Sequence, residues 1–192
     1  MTEHVTSEGL VLRKQNFGEA NILVSILTKD HGLLRASAKS ARREISKLRY
    51  ALEPLSLGRF TFVRGRYEWK LIGTEGIVRE YSASLRGRAA TGRIMRLISR
   101  LVQGEEKNEA LFGDIAEALK LFSRAQGEEE IQSIECVAVL RLLFNLGYLP
   151  KTPELAPFIA DKGLSLALAA KAAERRSQLI RAINESLLAT GL

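Results

Sequence analysis

Between Leu34 and Pro54 the chain reads LRASAKSARREISKLRYALEP, with six cations, Arg35, Lys39, Arg42, Arg43, Lys47 and Arg49, against two acids, Glu44 and Glu53. The chemistry open to such a run is pairing with a polyanion, most simply the phosphates of a nucleic acid. Taken alone it reads equally well as a solvated loop, so the surrounding chain has to decide. Single-strand binding adds a second requirement, aromatic faces on which bases stack. Arg13, Lys14, Arg64 and Arg66 are further candidate cations, and Phe17, Tyr50, Tyr67 and Trp69 are candidate aromatics. Phe60, Phe62 and Trp69 alternate as core residues do, whereas Tyr50 and Tyr67 stand next to basic residues at a loop and a turn. Arg93, Arg96 and Arg100 lie on one helix face away from its apolar stripe, where they either extend the basic surface or are simply solvated.

Catalytic chemistry has little to build on. The single cysteine, Cys136, sits in an apolar run with no histidine nearby, which reads as a buried structural thiol. His31 reads as a turn residue. No phosphate-binding glycine loop of the GxxxxGK[ST] kind is present, and one cysteine with two histidines supplies no set of ligands for zinc. The expectation is a non-enzymatic binding protein without cofactor or metal.

The elements that must position the cations read as strands first and helices later. Gly9 to Phe17, Asn21 to Lys29 and Leu33 to Ala38 form a three-strand meander with glycine at both turns. Leu23 and Leu27 make the second strand apolar on both faces, as in a barrel. The basic stretch follows as a loop with one helical turn. Leu55 to Arg64 and Tyr67 to Ile72 read as a hairpin closed by Gly65-Arg66 in a type II′ turn. Five strands with a long insertion after the third match an OB-type barrel, although periodicity alone also allows an SH3-like one.

Beyond Val78 the apolar period becomes that of a helix. Ile94, Leu97, Ile98, Leu101 and Val102 mark one helix, and Leu111, Ile115, Ala118, Leu119 and Phe122 a second. Glu129 to Leu146 is apolar nearly all round, starts on acids and ends at Gly147, so it reads as a central helix. Pro153 and Pro157 keep the next residues irregular, and a last helical region from about Ser165 to Ala189 puts Ile180, Ile183 and Leu187 on one side. The fold class expected is α+β in two domains: a five-stranded β-barrel domain over residues 1–80 and an all-helical domain over 81–192.

Composition agrees with that division. The 192 residues carry a net charge of +7. Residues 1–80 hold 14 Lys/Arg against 9 Asp/Glu, so most of the excess lies in the first half. The start, MTEHVTSEG, lacks the basic and apolar regions of a secretory signal, and no stretch reaches the roughly 18 apolar residues of a spanning helix. A soluble protein of a reducing, cytoplasmic setting is expected.

Several segments also stand in a familiar order: Glu8-Gly9-Leu10-Val11-Leu12, Gly18-Glu19-Ala20-Asn21, Leu27-Thr28-Lys29-Asp30-His31-Gly32, Ala38-Lys39-Ser40-Ala41-Arg42-Arg43 and Leu52-Glu53-Pro54. Arg141-Leu142-Leu143, Leu146-Gly147-Tyr148-Leu149-Pro150 and Ile183-Asn184-Glu185-Ser186-Leu187 follow in the second half. Together they resemble the bacterial recombination mediator family RecO. The resemblance implies an N-terminal OB domain, a C-terminal helical domain and a role in recombinational DNA repair. It further implies binding of single- and double-stranded DNA, annealing of complementary strands and loading of RecA onto DNA coated by single-strand-binding protein (SSB). RecR and the C-terminal tail of SSB would be partners, and the protein would be associated with the nucleoid.

Two departures stand out. The family usually has glycine where this chain has Ser40, and many members carry a four-cysteine zinc site after the Gly-Tyr-x-Pro segment. Lys151 to Leu166 contains no cysteine, so the likeness is to a zinc-less member. The DNA-binding candidates are Arg13, Lys14, Arg35, Lys39, Arg42, Arg43, Lys47, Arg49, Arg64, Arg66 and Tyr67. From the residues alone two rivals stay open, an RNA-binding OB protein and a protein-interaction adaptor in which the helical part does the work.

Overall fold

The computed structural model describes residues 4–79, 84–160 and 163–189. Its packing divides the chain into two compact units, residues 1–80 with Gln103–Glu109, and residues 81–102 with 110–192. The expected domain boundary between residues 80 and 81 falls outside the described residues.

The first unit is built from β1 (His4–Phe17), β2 (Asn21–Thr28), β3 (Gly32–Ala38), the single turn α1 (Leu48–Ala51), β4 (Ser56–Arg64) and β5 (Trp69–Arg79). The strands close into a barrel in the order β1-β2-β3-β5-β4. Closure is made by β3 and β5, which run parallel with Ala36 opposite Trp69 and Ser37 opposite Lys70; the other pairs are antiparallel. This is the five-stranded OB arrangement. β1 begins at His4 rather than Gly9 because its first half pairs with β4, from His4–Val63 to Leu10–Leu57. Its second half pairs with β2, and the register slips between Val11 and Arg13, a bulge that lets one strand serve two neighbours.

Alternation along the strands delivers Val11, Val24, Ile26, Leu34, Ala36, Phe60, Phe62, Trp69 and Leu71 to the barrel interior. Each large side chain buried there contributes roughly 1.5–3 kcal/mol of transfer free energy. Trp69 therefore belongs to the core, its ring edge-on to Phe62 at 6.4 Å, and is not a base-stacking surface.

The β4–β5 connection differs from the expected type II′ turn. β4 ends at Arg64 opposite Trp69, leaving residues 65–68 as the loop, and Gly65 is not among the glycines with positive φ. Glycine is required there for space, because a Cβ would sit 2.9 Å from the Glu68 carbonyl oxygen, which accepts the Gly65 N–H. Tyr67 consequently lies in the loop, 85% exposed, rather than in the strand.

The chain leaves the barrel after β5, forms a helix and returns as the strap Gln103–Glu109. The Leu33 N–H donates to the Gly104 carbonyl at 3.0 Å, and the Trp69 indole N–H to Glu105 Oε1 at 2.9 Å. Arg64 lies 3.5 Å from the same carboxylate, and Lys107 pairs with Asp30 at 3.9 Å. A polar run that reads as a spacer between helices is thus part of the barrel unit.

The second unit contains α2 (Leu85–Leu101), α3 (Glu109–Arg124, from Ala110 onward), α4 (Glu128–Asn145), α5 (Ala156–Ile159), α6 (Leu166–Glu174) and α7 (Arg176–Ala189). Ser84 and Ser165 cap α2 and α6 by accepting the Gly87 and Leu168 N–H groups. α4 is the central helix, with α2, α5, α6 and α7 packed around it. It ends in a Schellman motif: Gly147 at φ 77 donates to the Phe144 carbonyl, and Tyr148 donates to that of Leu143. Arg141, within this apolar helix, is neutralised by Asp114 of α3 at 2.8 Å and donates to the Phe158 and Ala160 carbonyls. On α7 the buried positions are Leu179, Ile183 and Ser186, while Ile180 is 43% exposed, so the expected apolar side is rotated by about one residue. Among the described residues, no helix is long and apolar enough to cross a membrane.

Candidate nucleic-acid interface

The loop after β3 is fastened at both ends. Ala41, fully buried, and Leu52, fully buried, belong to the barrel core, and Leu48 packs against it between them. The β1–β2 turn supplies the remaining hold. Ser40 N–H donates to Asn21 Oδ1 at 2.9 Å, Arg42 N–H to the Ala20 carbonyl at 3.0 Å, and Arg42 Nη1 to the Gly18 and Glu19 carbonyls at 3.3 and 2.9 Å. The segments Gly18-Glu19-Ala20-Asn21 and Ala38-Lys39-Ser40-Ala41-Arg42-Arg43 are therefore two halves of one structure. Ser40 stands at φ 54, in the left-handed region where glycine is at ease.

That anchoring leaves Arg43, Lys47, Arg49 and Tyr50 in solvent, Tyr50 being 68% exposed. Lys39, immediately past β3, is exposed as well. On the sheet, Arg13 of β1 lies opposite Ser25 of β2, and Ser25 opposite Arg35 of β3, so the two exposed arginines share one transverse row on the outer face. Lys70 of β5, opposite Ser37, adds a cation to that face which sequence reasoning left out; its place next to the inward Trp69 was the available signal.

Partners separate these cations into two groups. Arg13, Arg35, Lys39, Arg43 and Lys47 form no ion pair among the described residues. Lys14 is half-buried and held by Glu53 at 2.5 Å. Arg64 is engaged by Glu105 and lies 5.0 Å above the Trp69 ring, and Arg42 is spent on carbonyls. Arg66 and Arg49 stack over the neighbouring Tyr67 and Tyr50 rings at 5.2 and 5.8 Å, which makes two exposed cation–aromatic pairs. Phe17, at the end of β1, is 54% exposed. Unpaired cations with exposed aromatic faces are what a sequence-independent single-strand site needs.

In the helical unit, Arg93 is held bidentately by Glu135 at 2.5 and 2.6 Å, a hydrogen-bonded pairing that raises its pKa further, and Arg86 pairs with Glu128. Arg96 and Arg100 remain exposed. Burial pushes the Cys136 thiol up to about 11, which keeps it protonated and non-nucleophilic at neutral pH. No cluster of metal ligands occurs among the described residues.

Comparison with known proteins agrees with this architecture. Residues 1–73 match the family model for the N-terminal part of recombination protein O, and residues 85–154 match that for its C-terminal part. A DNA repair protein RecO of Bifidobacterium longum subsp. infantis is 33% identical over 150 residues, covering 75% of this chain and 61% of the relative. That of Rubrobacter xylanophilus is 31% identical over 150 residues, 76% and 58% of the two chains. That of a Synechococcus strain is 28% identical over 154 residues, 74% and 54%. The chain spans little more than half the length of these curated relatives. With both family halves matched in order on the barrel and on the helices, the chain belongs to the RecO family.

Proposed function

We propose that the barrel unit binds single-stranded DNA through its phosphates, without reading sequence, in the service of recombinational DNA repair. The observation that carries this reading is the set of cations without an ion pair among the described residues, Arg13, Arg35, Lys39, Arg43 and Lys47, spread over the outer sheet face and the anchored loop, together with exposed Tyr50 and Tyr67. Each phosphate neutralised releases counterions, so affinity arises from electrostatics and falls with salt. Neutralising the charge of a bound strand also lets its complement approach, which gives annealing without a catalytic residue. Duplex DNA, RecR, the acidic and apolar C-terminal tail of SSB, and loading of RecA onto SSB-coated strands complete the proposed role. It is a binding role rather than an enzymatic one, exercised in the cytoplasm at the nucleoid.

Arg43 and Lys47 provide the test, with Arg42 as a probe of the loop's anchoring. With about four to six phosphates contacted, log K for a single strand falls against log salt with a slope of roughly −3 to −4. Arg43→Ala/Lys47→Ala should weaken binding and reduce the magnitude of that slope by about 1.4. Arg42→Ala should loosen the loop through loss of the Gly18 and Glu19 carbonyls, seen as faster proteolysis near residues 43–47. An Arg43→Ala/Lys47→Ala protein with wild-type affinity and slope would refute the proposal.

A further inference from the structure

Ile45 is 90% exposed, more than any other large apolar side chain among the described residues. It stands at a corner of the turn closed by the Ser46 N–H donating to the Arg43 carbonyl at 3.0 Å, with Glu44 at the other corner. Scattered exposed apolar residues are ordinary on a surface. Here the base of the loop is fixed by Ala41 and Leu52 in the core and by Arg42 on the β1–β2 turn, so the tip is held out from an anchored frame. Arg43 and Lys47, both unpaired, flank it two residues to either side.

These features sort the loop by chemistry. A carboxylate and a hydrocarbon at the tip repel phosphate or offer it nothing, whereas the cations on either side attract it. A strand whose phosphates lie against Arg43 and Lys47 presents bases, not charge, to Ile45. We propose that Ile45 is a wedge that enters between two neighbouring bases of the bound single strand and unstacks them. Apolar side chains inserted between base steps act in this way in other DNA-binding proteins. The proposal rests on the single-strand reading above and extends it: unstacked bases offer their pairing edges to a complementary strand.

The experiment uses the full chain and a single-stranded oligonucleotide with 2-aminopurine between two adenines, a probe quenched by stacking. Wild type should raise the emission on binding. Ile45→Ser should remove most of that rise and weaken binding roughly tenfold, the effect of exposing one buried isoleucine, while leaving the salt slope unchanged. Ile45→Leu should keep both the emission rise and the affinity. An Ile45→Ser protein with wild-type emission and affinity overturns the wedge while DNA binding stands, and leaves Ile45 to a contact with protein instead. A wild-type chain without salt-dependent binding overturns the underlying reading as well.

Discussion

Gly32→Ala offers the sharpest check on how the barrel unit is held together. Gly32 has φ 61, and a Cβ there would meet the Glu106 carbonyl oxygen at 2.4 Å and the Glu106 nitrogen at 2.8 Å. Both are backbone atoms, so the strap has to move. An alanine in the left-handed region costs about 1–2 kcal/mol, of which the stiffer unfolded chain returns roughly 0.4–1. Displacing the strap breaks the bonds from Leu33 to Gly104 and from Trp69 to Glu105, each contributing about 1 kcal/mol. The expected loss is therefore roughly 3 kcal/mol. Trp69 is the only tryptophan and donates to the strap, so its emission reports both events. Denaturant titration should show a lowered midpoint and a native spectrum shifted to longer wavelength as water reaches the indole. Glu105→Gln retains an acceptor oxygen and should change both far less. A Gly32→Ala protein with unshifted emission and stability within about 0.5 kcal/mol of wild type would show that the strap contributes nothing at this point.

Two further substitutions probe backbone strain and buried charge. Ser40→Gly should stabilise the barrel unit by roughly 0.5–1 kcal/mol, because Ser40 sits at φ 54 and its hydroxyl makes no hydrogen bond among the described residues; an unchanged or lowered denaturation midpoint counts against strain there. Asp114→Ala should destabilise the helical unit by about 3–5 kcal/mol, since it strands the Arg141 charge in the core and removes a carboxylate that accepts from Asn145. Arg93→Ala, which breaks a pair at the surface, should cost at most about 1 kcal/mol, and equal losses for the two would refute the distinction in thermal unfolding.

The strand and helix periods were legible because burial imposes them residue by residue. Phe60 and Phe62 alternate into the barrel, and α4 is apolar nearly all round because helices pack around it. Where the sequence misled, the cause was an interaction between distant segments. β1 begins early because β4 pairs with residues too polar to advertise a strand, namely His4, Thr6 and Glu8. Gly65 resembled a turn glycine because the close Glu68 carbonyl leaves no local signature. The strap Gln103–Glu109 is polar, and its role depends on Trp69, Leu33 and Gly32, all more than thirty positions away.

The candidate site was legible as charge and not as function. Arg42 and Arg43 are chemically identical neighbours, yet one fills the carbonyls of the β1–β2 turn and the other faces solvent unpaired. What separates them is the course of the backbone: Ser40 in the left-handed region and Ala41 in the core point the two side chains to different environments. Three of the segments that carry the family resemblance, Gly18–Asn21, Leu27–Gly32 and Ala38–Arg43, supply the residues of this frame. Thr28 illustrates it, its hydroxyl fully buried while donating to the Gly32 carbonyl and accepting from the His31 N–H. A frame of this kind needs particular residues at particular bonds. On the proposed reading, phosphate pairing needs only positive charge within reach, so Arg13, Arg35, Lys39, Arg43 and Lys47 are less constrained in type and position than the residues that hold the loop to the β1–β2 turn.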